Sequence, residues 1–272
     1  MKQIFKKDHK HFKVKDYIKS GEFFQLYKDN KSGIVWTSLN KNHNHEYYYL
    51  SEKYIPHKEK KGFLYSFVQK IMFRYKLKNL KNHINKNKTV LDYGSGDGRF
   101  AEYLNQLNIK TMTYDPLVNK LDDSNPFSYQ TPENQVDTVM MWHVLEHIPN
   151  LDSSIKAISN SIKNKGSLVI AVPNIDSFDS KLYKEYWAGL DVPRHLYHFN
   201  HESLINFIEK QGFIYNYRKP LIFDSFYVSI LSEKNRNNLF GILIGLTIGL
   251  ISNFLALFST NYSSSFYVFT KD

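Results

Sequence analysis

The stretch Val90-Leu91-Asp92-Tyr93-Gly94-Ser95-Gly96-Asp97-Gly98-Arg99-Phe100 joins a short β-prone run to a glycine-rich turn and then to a helical pattern. Thr89 to Tyr93 reads as a strand and Arg99 to Leu107 as the helix that follows. Glycines at 94, 96 and 98 allow tight backbone geometry with no Cβ at those positions, so a ligand can lie against bare backbone there. A dinucleotide fingerprint needs G-x-G-x-x-G/A, but Arg99 stands where its third small residue belongs, and the third glycine comes one position early. Asp92, just ahead of the turn, would repel a pyrophosphate and would suit an ammonium group.

Working outward, Lys110 to Tyr114 reads as the next strand, ending at Asp115-Pro116, and Val136 to Met141 as another. A helix of about Asp152 to Lys163, strands at Ser167 to Val172 and Phe213 to Arg218, and a final strand at Ser265 to Thr270 complete the pattern. This β-α-β order predicts an α/β fold: a doubly wound, mostly parallel sheet with its ligand crevice outside the strand C-termini. On Asp92, Gly94, Gly96 and Gly98 the chain resembles the class I S-adenosylmethionine-dependent methyltransferases. The resemblance implies a seven-stranded Rossmann-like sheet whose last strand is antiparallel, with S-adenosylmethionine as cofactor. It also implies that Asp115 binds the ribose hydroxyls and that Trp142 borders the cofactor; a plain strand-end turn before proline is the other reading of Asp115.

The run Trp142-His143-Val144-Leu145-Glu146-His147, with Leu190 to Phe199 (LDVPRHLYHF), is similar to small-molecule O-methyltransferases related to ubiquinone-biosynthesis enzymes and to relatives in surface-polysaccharide pathways. These matches cover about residues 88 to 218. Methyl transfer from a sulfonium needs positioning, and a base only when the acceptor is a protonated hydroxyl. Histidine titrates near neutrality, which makes His195 and His198 the leading bases, with His143 and Glu146 behind them. Arg194 is a candidate clamp for an acceptor phosphate or carboxylate, with pairing to Asp191 as its alternative, and Tyr197 joins it on the acceptor side. Each of these side chains also has a purely structural reading. With no cysteine in the chain, thiolate metal sites and disulfides are excluded, and no metal is expected.

The 272 residues suit one core in three segments: a basic N-terminal extension with helices (1–87), the cofactor-binding core (88–220), and a hydrophobic helical insertion with the final strand (221–272). The net charge of +10 is uneven. Residues 1–90 hold 21 Lys and Arg against 7 Asp and Glu, whereas the remainder holds 15 against 19. Such a field attracts RNA, an anionic lipid surface or a phosphorylated substrate, or is simply a solvated lysine-rich surface. Amino-directed nucleic-acid methyltransferases carry an Asn/Asp-Pro-Pro-aromatic motif where this chain has Trp142-His143-Val144-Leu145, so RNA is the lesser reading. Lys60 to Ile84 reads as a long basic helix that packs its apolar stripe on the sheet, with lying on a membrane as the alternative. Tyr47, Tyr48, Tyr49 and Tyr54 are candidates for closing the site. The expected location is the cytoplasm, at the inner face of the plasma membrane, acting on a small, lipid-linked or saccharide acceptor.

Leu239 to Phe258 (LFGILIGLTIGLISNFLALF) carries no charge and is long enough to span a bilayer. Gly241, Gly245 and Gly249 form a small-residue stripe for close helix approach. The only candidate for the last strand lies beyond this segment, so a single crossing would part that strand from its sheet. The expectation is a helix inserted without crossing, hairpinned with Phe223 to Ser232 and bent at Ser252-Asn253. Burial in the core or in a homodimer interface is the soluble alternative.

Overall fold

The computed structural model describes residues 9–39, 63–115 and 135–272. Its central sheet holds β4 (Val90–Tyr93), β5 (Thr111–Tyr114), β6 (Val136–Trp142), β7 (Ile162–Pro173), β9 (Phe213–Pro220) and β10 (Ser264–Lys271) in the order β5-β4-β6-β7-β10-β9. The first four run parallel, and β10 is antiparallel to both β7 and β9. All four residues of β4 are buried, as expected of a strand in a sheet covered on both faces. Six of the seven implied strands are therefore present among the described residues. The stretch 116–134, between β5 and β6, lies outside them.

The N-terminal segment corrects the expected helical extension. β1 (His9–Lys15), β2 (Phe23–Lys28) and β3 (Val35–Thr37) form an antiparallel sheet, which β8 (Tyr197–His198) from the core completes. Val14, Phe24, Leu26 and Val35 pack there against Tyr183, Trp187, Leu190 and Val192, so this sheet is joined to the core by a shared apolar cluster. Helix α1 (Phe63–Leu80) lies along the main sheet. Leu80 is fully buried, and Met72, Phe73, Tyr75 and Leu77 pack on the cluster formed by Val90, Met140, Val169 and Phe266. Tyr47, Tyr48, Tyr49 and Tyr54 lie outside the described residues.

Helix α2 (Arg99–Gln106) follows the glycine turn, α3 (Leu151–Ser161) precedes β7, and α4 (Phe178–Tyr183) and α5 (His201–Glu209) flank β8 in sequence. Ser177 caps α4, and Asn200 caps α5 in a capping box with Ser203. Between β9 and β10 come α6 (Asp224–Asn235) and α7 (Gly241–Ser259), an antiparallel hairpin that returns the chain to the same sheet edge.

The glycine stripe sets the spacing of that hairpin. A Cβ on Gly245 would meet Ile230 Cα at 2.6 Å, and one on Gly249 would meet Phe226 Cα at 2.8 Å. Ser252 and Asn253 do not bend α7. Ser252 Oγ donates to the buried Asp179 at 2.8 Å, which also accepts from Trp187 Nε1 and Ser263 Oγ, and Asn253 Nδ2 donates to the Ile222 carbonyl. These two polar residues tie the helix to the domain. Gly249→Val forces the two backbones apart and is expected to cost about 3 kcal/mol, read as a lower melting temperature with cofactor affinity retained.

Candidate functional site

The turn after β4 is built on left-handed backbone: φ is +74° at Gly94, +55° at Gly96 and +70° at Gly98. It is clipped to the end of β5 by Gly94 N–H and Ser95 N–H, both donating to the Tyr114 carbonyl, at 2.6 and 3.2 Å. A Cβ at Gly94 would sit 2.3 Å from Val144, so the turn and the loop after β6 need a glycine to approach one another. Gly96 N–H donates to Asp115 Oδ2 at 2.7 Å. Asp92, Gly94, Gly96, Gly98 and Asp115 thus meet at the C-terminal edge of β4 and β5, as the sequence predicts.

Asp92 is almost wholly buried. Burial, with the Asp115 carboxylate adding to it, pushes its carboxyl up to about 7, against the opposing pull of Lys76. Lys76, from α1, was not legible as a site residue. Its Nζ lies 3.7 Å from the ring centre of Trp142 and 5.1 Å from that of Phe100. Burial pulls this ammonium down to about 8, although Asp92 and Asp224 favour its charge. Among the described residues the buried Trp142 Nε1 has no hydrogen-bond partner.

His143, next in the chain, has φ +54°, a strained conformation for a non-glycine residue and one that redirects its side chain at the strand end. Its Nε2 lies 3.0 Å from Asp224 Oδ2 and its Nδ1 3.5 Å from Glu146 Oε1. Burial lowers the imidazole's pKa, but the hydrogen bonds and charges of Asp224 and Glu146 outweigh it and hold the group at about 10. His143 is therefore an imidazolium at neutral pH, which corrects its assignment as a base. Asp224, the first residue of α6, is the second site residue that sequence reasoning missed.

Glu146 is buried and kept ionised: burial opposes the charge, but His143, His147 and His195 bring its pKa below the usual carboxylate value. The lowered pKa makes Glu146 a weaker base and suits it to holding the histidine cluster. His147 Nδ1 donates to the Arg194 carbonyl at 3.0 Å and His195 Nδ1 donates to the Gly189 carbonyl at 2.9 Å. Because a carbonyl only accepts, each neutral ring carries its lone pair on Nε2. Burial and the field of His195 bring His147 down to about 4, and the two rings meet edge to face at 4.6 Å. Glu146, His147 and His195 offer donor atoms within 4.8 Å of one another, a set that a transition metal accepts.

Three predicted acceptor-side residues are placed elsewhere. Arg194 is buried between Asp16, at 3.0 Å, and Asp191, at 2.6 Å, and so ties the N-terminal sheet to the core instead of facing an acceptor. His198 is buried against Thr37 Oγ1 at 3.0 Å, and burial drives its pKa well below the ordinary value. Tyr197 donates to the Pro149 carbonyl. All three positions belong to β8 or its approach, and pairing with β3 turns them into the joint between the sheets.

A model of the methyltransferase-domain family matches residues 65–215, more than half of the chain. Among solved structures, the chain is similar to Haemonchus contortus phosphoethanolamine N-methyltransferase 2 in complex with S-adenosyl-L-methionine, at 17% identity over 96% of this chain and 71% of that one, with a TM-score of 0.53. It is also similar to an S-adenosylmethionine-dependent methyltransferase from Archaeoglobus fulgidus (18% identity, 76% and 100% coverage, TM-score 0.44). A third is a possible histamine N-methyltransferase from Thermotoga maritima (13%, 77% and 97%, 0.47). At such identities the likeness concerns the fold. No curated protein matches the chain.

Proposed function

Since the chain belongs to the class I S-adenosylmethionine-dependent methyltransferases, we propose that it moves the cofactor's methyl group to a hydroxyl of a small, lipid-linked or saccharide acceptor in the cytoplasm. The cofactor supplies an activated methyl group on a sulfonium. The chain's residues fit it: a turn with glycine at 94, 96 and 98, a buried carboxylate at Asp92 for its ammonium, Asp115 for its ribose hydroxyls and, among the described residues, an unpartnered indole donor at Trp142. His143, held as a cation by Asp224 and Glu146, donates at the edge of the crevice and fixes the loop after β6.

The observation that carries the hydroxyl reading is the state of His195. With Nδ1–H given to the Gly189 carbonyl, its Nε2 is the basic nitrogen, and Asp191 Oδ2, 4.0 Å away, stabilises the imidazolium that forms when it takes a proton. An amine acceptor that arrives deprotonated needs no such group. His195→Gln is therefore expected to lower kcat by about a hundredfold, with cofactor affinity unchanged. The measurement is transfer of label from S-adenosylmethionine to fractions of lipid-linked and free saccharides. An unchanged kcat would sink the base assignment, and label appearing in RNA alone would replace the acceptor class.

A further inference from the structure

The surface of α7 is not that of a helix inside a soluble domain. Only its small residues, Gly241, Gly245, Gly249, Ser252 and Ala256, are buried, on α6 and the Asp179 cluster. Ile244, Ile248 and Asn253 are half-buried, and an exposed apolar face runs from Ile242 and Leu243 through Leu246 and Leu250 to Phe254 and Phe258, with Leu239 before it 97% exposed. No charged residue occurs between Arg236 and Lys271. At about 1.5 Å per residue the helix is roughly 28 Å long, and a contiguous exposed apolar face of that length is the kind of surface that marks an interaction or membrane site.

The hairpin cannot carry the chain across a bilayer, because Ser265 in β10 pairs with Pro220 in β9 and both ends return to one sheet edge. Charge placement says what covers the face. On α6, Asp224 turns to His143 and the buried Glu233 pairs with Arg236 at 3.5 Å, while Lys234 remains exposed a few residues before Leu239. On α4 and the turn after it, which pack against the hairpin, exposed Leu182 and Tyr186 lie among exposed Lys181 and Lys184, with the half-buried Glu185 between Lys184 and Tyr186. An apolar face with a basic, tyrosine-bearing rim matches the boundary between acyl chains and anionic headgroups. A two-fold contact between copies through this face would bring basic rims together.

We propose that the α6–α7 hairpin seats in one leaflet of an anionic membrane without crossing it, and that the crevice at Asp224 and His143 is thereby held at the headgroups so that the acceptor is taken from the membrane. The acceptor clause rests on the methyl-transfer reading above; the leaflet clause does not. The test is flotation of the full chain with phosphatidylcholine vesicles, with and without phosphatidylglycerol. The wild type floats, about tenfold more tightly with phosphatidylglycerol present. Leu246→Glu/Leu250→Glu, both on the exposed face, stays in the aqueous fraction yet binds S-adenosylmethionine as before; Ile242→Glu/Leu243→Glu serves if the first pair fails to fold. A wild type that floats with neither vesicle overturns the proposal. So does a lipid-free dimer that the same substitutions dissolve, since the occupant is then a second copy. Flotation with no binding of S-adenosylmethionine would sink the methyl-transfer reading and leave the leaflet clause standing.

Discussion

Asp92→Ala is expected to weaken S-adenosylmethionine binding by about a hundredfold or more, in line with the 2–5 kcal/mol lost when one partner of a buried charge pair is truncated. The reason is the burial of this carboxylate at the end of β4, where water cannot take its place against the cofactor's ammonium. Its titration adds a pH signature. A carboxyl held up at about 7 must lose its proton before it can pair with the ammonium, so affinity falls by about tenfold per pH unit below that value. The folded chain binds this proton more tightly than the unfolded chain, where the reference value is 3.8. The stability it contributes is complete below that reference and is lost as pH rises through about 7. Thermal unfolding should accordingly show cofactor-free protein losing stability between about pH 4 and 7 through this group, with a larger cofactor-induced rise in melting temperature at the upper end. Asp92→Asn should flatten both trends. Calorimetric titration across that range is the measurement, and pH-independent affinity in the wild type would show that Asp92 is not the ammonium partner.

Arg194→Met is expected to cost about 3–5 kcal/mol, because it leaves the carboxylates of Asp16 and Asp191 buried without their shared cation. For a chain of this size that corresponds to a fall in melting temperature of roughly 10 °C. Asp16 is held below the usual carboxylate range: burial opposes its charge, but the Ser20 amide and Arg194 outweigh burial. Its contribution is therefore complete above the ordinary carboxylate pKa and is lost as pH falls from that value through the depressed one. The experiment also separates the two readings of Arg194. An acceptor clamp would raise KM at unchanged stability, whereas a strut between the N-terminal sheet and the core lowers stability first and leaves the KM of the surviving fold unchanged.

The sequence by itself determined what short-range chemistry specifies. The run from Val90 to Phe100 is strand, turn and helix because its apolar residues, glycines and helix formers are contiguous, and Asp92 and Asp115 sit at strand ends that any parallel sheet places at one edge. The antiparallel last strand and the helical hairpin before it were legible for the same reason: a charge-free segment with glycines four apart has few other places to go. Tertiary structure alone decided the rest. His9 to Lys15 reads as a lysine-rich surface until β2 pairs with it, and the sheet so begun is completed where β3 pairs with β8, far along the chain, which takes Arg194, Tyr197 and His198 away from the acceptor. Lys76 is one lysine among many until α1 sets it on Trp142. His143 reads as a base until Asp224, 81 residues on, makes it a cation. Ser252 reads as a bend until Asp179 gives its hydroxyl a buried acceptor. Each reversal has one physical cause: a polar group's charge and role are fixed by the partner it meets, and that partner is remote in the sequence.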